Sequence, residues 1–467
     1  MQIFRLETEQ KDFYRRTLAI AVPIMIQNAV TNFVSMLDNI MIGRIGTDSM
    51  SGVAIINQLL FVFYLCVFGG MSGIGIFTAQ FYGKKDEEGI RYTFRLHLIL
   101  GVILSVIGIG ILMAFRFPLI NMFLHEDGGV ANAANTMAFA TDYLRIMYIG
   151  LVPFALTQSY ASVLKSMGET EAPMRASLAA VAVNLVGNYI LIYGKLGLPA
   201  MGVVGAAIAT VLSRFVELAL IMAHTHKNAA RYPFIVGAFA SMFVPAGLVR
   251  NCVMKGLPLI LNEALWAGGE TMLTRSYSLR GLSVIAALNI SQTVANVFNV
   301  AFLAMGIATG IIMGQEIGTG QRENLQRDAN RLMWFSVALC IFAGGMLLAI
   351  SGIFPMIYNT STEIRHMAAG LIRVSAVLMP VHAYANAAYF ILRSGGRTWI
   401  TFVFDSCFSW LIVIPFSLLL VHLTDLPVIP IVLAIRFLDI VKCILGRILI
   451  RTGIWIRDIT QYEENVL

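Results

Sequence analysis

An acid stands inside an otherwise apolar stretch at Asp38. A charge at such depth costs roughly 2.5–3.5 kcal/mol on insertion scales, so it faces protein or water and usually has a task. Asp38 closes a polar stripe, Asn28, Thr31 or Asn32, Ser35 and Asp38, at helical spacing. A carboxylate so placed can hold a cation or take a proton; the alternative is simple hydration at the outer interface. Asn184 and Asn188 are one turn apart further along, and Thr210 follows. With Asp38 they offer a set of oxygens, which hard cations prefer, without selecting an ion. Hydrogen bonding between helices is the other common use of buried Asn and Thr. Pro23 lies fifteen residues before Asp38, removes one helical hydrogen bond and gives the helix a place to bend.

The second half has acids of its own. Glu263, Trp266 and Glu270 fall on one helical face with Ala267, Thr274 and Tyr277. A carboxylate beside an indole suits an organic cation, which is attracted to both charge and ring face. For Glu270 a salt bridge to Arg275 or Arg280 is the plainer use. Asn28, Asn289, Gln292 and Asn296 are candidate cavity-lining polar groups. Asp405 is read near a helix end, where it can snorkel to water. His382 is a lone histidine within an apolar stretch, more often a core residue than a functional one.

These residues are carried by a duplicated scaffold. Pro23, Gly46, Gly75, Gln80 and Gly83 recur without a gap as Pro258, Gly281, Gly310, Gln315 and Gly318, 235 positions later. On that offset Glu263 answers Asn28 and Glu270 answers Ser35, so the Glu263 face should look inward as the Asp38 face does. Apolar residues make up 58% of the chain and charged ones only 13%, with a mean hydropathy of +0.77. A soluble domain cannot hide that much apolar surface. About twelve apolar stretches reach the ~20 residues needed to span a bilayer as helices. The expected fold is an all-α integral membrane protein of twelve transmembrane helices in two six-helix lobes related by the repeat. The N-lobe is assigned to 1–224, a linker to 225–247, and the C-lobe to 248–467. The linker is read as a helix lying on the membrane surface.

Lys and Arg collect at Lys11, Arg15 and Arg16, at Lys84, Lys85, Arg91 and Arg95, at Lys227, Arg231, Arg250 and Lys255, at Arg322, Arg327 and Arg331, and at Arg447, Arg451 and Arg457. The opposite loops, 118–134 and 355–363, are poor in them. By the positive-inside rule both termini are cytoplasmic, in a cell inner membrane. The net charge of +7 is mostly this asymmetry, and no basic cluster on a soluble module speaks for nucleic acid. There is no Walker A loop, GxSxG or HExxH motif, so neither nucleotide hydrolysis nor a familiar hydrolase is expected. The five cysteines show no CxxC spacing and read as packing residues rather than metal ligands or disulfides. No enzyme activity, cofactor or metal is expected.

The run VPIMIQNAVTNFVSMLDNIMIGRIG, followed by TAQFYGKKD, resembles the opening of the multidrug and toxin extrusion (MATE) family. LKSMGET, NLVGNYILIYG, GVVGAAIAT, GLPLILNE and LRSGGRT continue the likeness, which covers about 15–455. The resemblance implies a cation-coupled exporter with six helices per lobe, in which Asp38 occupies the motif position that binds the coupling cation. Asn188 departs from the aspartate that relatives often carry there. The implied function is an antiporter that exports amphipathic, often cationic drugs and toxins in exchange for H⁺ or Na⁺. Coupling is assigned to Asp38, Asn184, Asn188 and Thr210, and bending to Pro23. Substrate binding is assigned to Glu263, Trp266, Glu270, Asn28, Asn289, Gln292 and Asn296. The expected partners are small amphipathic molecules and membrane lipids, and the expected state is a monomer. The alternative is a flippase for lipids or lipid-linked oligosaccharides from the same superfamily; a membrane-embedded enzyme and a channel fit less well.

Overall fold

The computed structural model describes residues 2–124, 132–320 and 322–461. Of the Lys- and Arg-poor loop at 118–134, residues 125–131 lie outside the described residues. Twelve long helices are present among the described residues. In the first half they are α1 Gln2–Gly43, α2 Thr47–Lys84, α3 Glu87–Asn121, α4 Ala133–Ser166, α5 Glu171–Tyr193 and α6 Gly202–Lys227. In the second they are α7 Ala246–Ser278, α8 Leu282–Gly318, α9 Leu325–Ile350, α10 Thr362–Ser394, α11 Thr398–Leu423 and α12 Val428–Arg451. Every apolar stretch anticipated from the sequence falls inside one of them.

Ten of these helices are long and apolar enough to cross a membrane on length and composition alone. The other two, α7 and α12, carry charges along their length, among them Glu263 and Glu270 on one and Arg436, Asp439 and Lys442 on the other. Polar caps set several boundaries. Asp86 accepts from Gly89 N at 2.9 Å to start α3, and Ser361 accepts from Ile364 N at 3.3 Å to start α10. Gly194 ends α5 in the left-handed region with φ 65°.

The duplication is visible in the packing. In the first half α4 packs on α3 and α6, and in the second α10 packs on α9 and α12 as well as α8. Both central helices contain a proline, Pro153 and Pro380. The chain forms two compact units. Among the described residues, one gathers those up to Met25, Ala79–Lys85 and those from Met254 to Gln461; the other gathers Ile26–Thr78 and Asp86–Val253. The division of α1 therefore falls two residues past Pro23.

Within the first of these units, repeat-related residues meet each other. A Cβ on Gly83 would lie 2.0 Å from Gln315 O, and a Cβ on Gly318 would lie 2.1 Å from Gln80 O. The contact is reciprocal, as a two-fold relation between duplicated helices requires. Only glycine permits this approach of backbone to backbone. The end of α10 and the chain beyond α12 strap the crossing: Gln80 Nε2 donates to Ser394 O at 2.9 Å and Arg457 O at 3.1 Å, and Gln80 Oε1 accepts from Ile459 N at 2.9 Å. Lys84 Nζ lies 2.7 Å from Asp458 Oδ2. Burial alone would raise the Asp458 carboxyl, but Lys84 and Thr460 hold it below the ordinary carboxylate value.

Gly83→Ala should destabilise the purified protein by about 1–3 kcal/mol, because an extra methyl forces two helix backbones apart. Gly110→Ala is the matched control, since nothing lies within 4 Å of its added Cβ, and alanine there should leave stability unchanged or raise it slightly. Thermal unfolding in detergent reads both. Equal midpoints for the two variants would show that the α2–α8 crossing tolerates a side chain.

The linker differs from the expected surface helix. It is a single 3₁₀ turn at Pro233–Ile235 followed by turns. The reason is in its carbonyls, which arginines of α3 take in place of helical partners. Arg95 donates to Ala238 O at 2.8 Å, Gly237 O at 2.9 Å and Phe243 O at 3.0 Å, and Arg91 donates to Phe234 O at 3.2 Å. Gly237, with φ 72°, breaks any helical continuation. Tyr232 and Phe234 are buried beneath it.

Candidate functional site

Asp38 sits on α1 against α5 and α6, all within one compact unit. Asn188 Nδ2 donates to Asp38 Oδ1 at 2.7 Å. Asn184 lies one turn earlier. With its amide assigned to satisfy its neighbours, Nδ2 donates to both Asp38 oxygens at 3.2 and 3.1 Å, and Oδ1 accepts from Thr210 Oγ1 at 3.2 Å. The structure thus brings together the four residues that the sequence pattern groups: Asp38, Asn184, Asn188 and Thr210.

The donor set can do something definite. With the amides turned toward it, the carboxylate is solvated by N–H groups alone. A cation held by the carboxylate would favour amide oxygens over N–H groups, and a half-turn of either amide supplies one. Asn188 Oδ1 is buried and has no hydrogen-bond partner among the described residues. A buried acceptor without a donor is costly, and a bound cation would satisfy it.

Sequence reasoning misses Arg214. It lies one turn past Thr210 on the same face of α6, where it faces Asp38 electrostatically. Its guanidinium lies 3.6 Å from Glu217 and over the Tyr64 and Phe154 rings at 5.9 and 4.9 Å. A signal for it exists: the i, i+4 spacing from Thr210 puts Arg214 beside the site.

Pro23 lies inside α1, and the helix continues through it in this structure. Asn28, five residues on, is half-buried.

The second-half candidates are more scattered. Glu263 is half-buried in α7, with Arg393 and Asp405 as its electrostatic neighbours. Trp266 is 46% exposed. Glu270 has Arg436 of α12 as an electrostatic neighbour, and the alternative bridge to Arg275 or Arg280 is not formed among the described residues; Arg280 donates to Thr424 O. Asn289, Gln292 and Asn296 are exposed along α8. Asp405 does not merely snorkel. It pairs with Lys442 of α12 at 2.6 Å and accepts from Asn262 Nδ2 at 3.1 Å. His382 lies 3.3 Å from Asp439 and 3.2 Å from Arg436. Charge pairs from α12 complete these clusters, and no local spacing points to them.

A model of one protein family, MatE, matches residues 23–190 and again 258–419, once in each half. The chain belongs to the MatE family. This MATE protein is 26% identical over 428 residues to a probable multidrug resistance protein NorM of Oceanobacillus iheyensis, covering 90% of this chain and 92% of that one. It is 26% identical over 413 residues to a probable multidrug resistance protein NorM of Haemophilus ducreyi, covering 86% and 85%. Among solved structures it resembles a MATE protein in the bent conformation, with TM-score 0.82, 20% identity and coverage of 94% and 96%. It resembles a MATE protein in the straight conformation nearly as well, with TM-score 0.81 and the same coverage. The fold is that of an all-α, multi-pass membrane protein with twelve transmembrane helices in two lobes.

Proposed function

We propose that this MATE protein is an antiporter, driven by H⁺ or Na⁺, that exports amphipathic and often cationic compounds by alternating access. The observation that carries this reading is the Asp38 cluster: one deep acid, two amides and a hydroxyl on three helices, with a buried acceptor lacking a donor. The coupling cation neutralises Asp38 and turns the Asn184 and Asn188 carbonyls toward itself. Loading draws α5 and α6 toward α1, and α1 bends at Pro23. A ligand drives such a change only through unequal affinity for the two states, and reorientation of the two amides on loading is proposed as the source of that inequality. Glu263, Trp266 and Glu270 are proposed to attract the exported cation, with Asn28, Asn289, Gln292 and Asn296 lining its path. Relatives called probable multidrug resistance proteins support the substrate class.

The Lys- and Arg-rich turns are proposed to face the cytoplasm, which places both termini there. Transport in proteoliposomes tests the whole reading. With an imposed ΔpH or Na⁺ gradient, efflux of fluorescent cations such as ethidium should follow one of the two gradients and stop with an ionophore that collapses it. Movement of a lipid-linked probe in the absence of any cation efflux would favour the flippase reading instead.

A further inference from the structure

The pair formed by Asp405 and Lys442 lies apart from the Asp38 cluster, in the other compact unit, and has an unusual setting. Lys442 Nζ is 2.6 Å from Asp405 Oδ1 and lies over the Phe404 and Phe408 rings at 5.8 and 5.7 Å. The second carboxylate oxygen is held by a neutral group, Asn262 Nδ2 at 3.1 Å. Asn262 is itself fixed, because Ser406 Oγ donates to its Oδ1 at 2.6 Å. Asp405 lies in a stretch of π-helical hydrogen bonding, Val403–Cys407, a backbone irregularity frequent at functional sites.

A position that meets one carboxylate and two aromatic rings is the arrangement that recognises an organic cation. Here a lysine head group already occupies it. The pair is not sealed: the Lys442 and Asp405 side chains are 13% and 22% exposed. Lysine reaches the carboxylate on a flexible four-carbon stem and can withdraw without moving the backbone. A purely structural pair is a poor explanation, since two charges taken from water seldom stabilise more than an apolar pair of the same size.

We propose that Asp405, Phe404 and Phe408 form a binding site for monovalent lipophilic cations, with the Lys442 ammonium as a tethered surrogate that the ligand displaces. The site needs no coupling ion, because the lysine neutralises the carboxylate whenever the ligand is absent. As a subsite for exported cations it rests on the export reading given above.

Equilibrium binding of radiolabelled tetraphenylphosphonium to the purified full chain in nanodiscs tests it, with no gradient present. Lys442→Met should tighten binding by about 10-fold or more, because the carboxylate loses its internal counter-charge. Asp405→Asn should weaken binding by about 10-fold, and the double variant should bind as Asp405→Asn does. A second measurement uses the unmodified protein: saturating tetraphenylphosphonium should speed acylation of the Lys442 amine, read by mass spectrometry. Lys442→Met binding no tighter than wild type, or Asp405→Asn binding as wild type, overturns the proposal. So does a Lys442 acylation rate that ligand leaves unchanged, which decides the matter if a variant fails to fold. Failure of the wild type to export in liposomes, with these binding responses intact, would sink the export reading and leave this site standing.

Discussion

Asp38→Asn is expected to reduce gradient-driven export to the rate of empty liposomes, a loss of at least about 100-fold, or roughly 2.7 kcal/mol in the driving coupling. The substitution removes the one charge in the cluster and keeps its shape. The new amide retains an oxygen for Asn188 Nδ2, which donates to Asp38 Oδ1 at 2.7 Å in the native protein. It can therefore be accommodated without a cavity, and the unfolding temperature should stay near that of wild type. What is lost is the difference in affinity between two states, and without that difference a cation gradient does no work on the protein. Binding of the exported cation at equilibrium should survive, because Glu263 and Asp405 are in the other unit. Export by Asp38→Asn at the wild-type rate would show that coupling occurs elsewhere.

The second large effect concerns the two repeat-related prolines. Pro23→Ala should slow coupled export about 10-fold or more, while Pro258→Ala should change the rate by no more than about 3-fold and act mainly on substrate affinity. Alanine restores an N–H and removes the ring that opposes a regular helix, so a bent α1 becomes less accessible. Pro23 lies two residues before the point where α1 passes from one compact unit to the other, and Asp38 lies beyond that point. A cation at Asp38 is thus separated from the start of the helix by a built-in weak place. In α7 the position matching Asp38 is Leu273, a buried apolar residue with no charge to load. Gradient-driven rates and equilibrium cation binding, measured on both variants, decide the question. Equal loss of rate in both, with binding intact in both, would mean that the two hinges act alike.

Much of the Asp38 cluster is legible in the amino-acid sequence. Asp38 stands out because charge is scarce in apolar helices and each instance is expensive. Asn184 and Asn188 are legible because one-turn spacing puts both on one face, and Thr210 because it recurs in a polar register on the next helix. The linker misleads, since an apolar, partly basic segment suggests an amphipathic helix, while the carbonyl-binding role of Arg91 and Arg95 is a long-range fact. Lys442 escapes notice for the same reason. It is 37 residues from Asp405, and its register on α12 resembles that of any interfacial lysine.

Composition, hydrophobic run length and the internal repeat determined the class of this protein, the number of its helices and which residues are duplicated, because each of these follows from transfer free energies and local periodicity. They also singled out the carboxylates, since a buried charge is costly wherever it lies. Only the tertiary structure decided which charges are paired. Ion pairs such as Asp405–Lys442, and the approach of Gly83 to Gln315, depend on how helices cross and rotate. Crossing and rotation are set by packing among many side chains at once, and no single stretch of sequence contains that information.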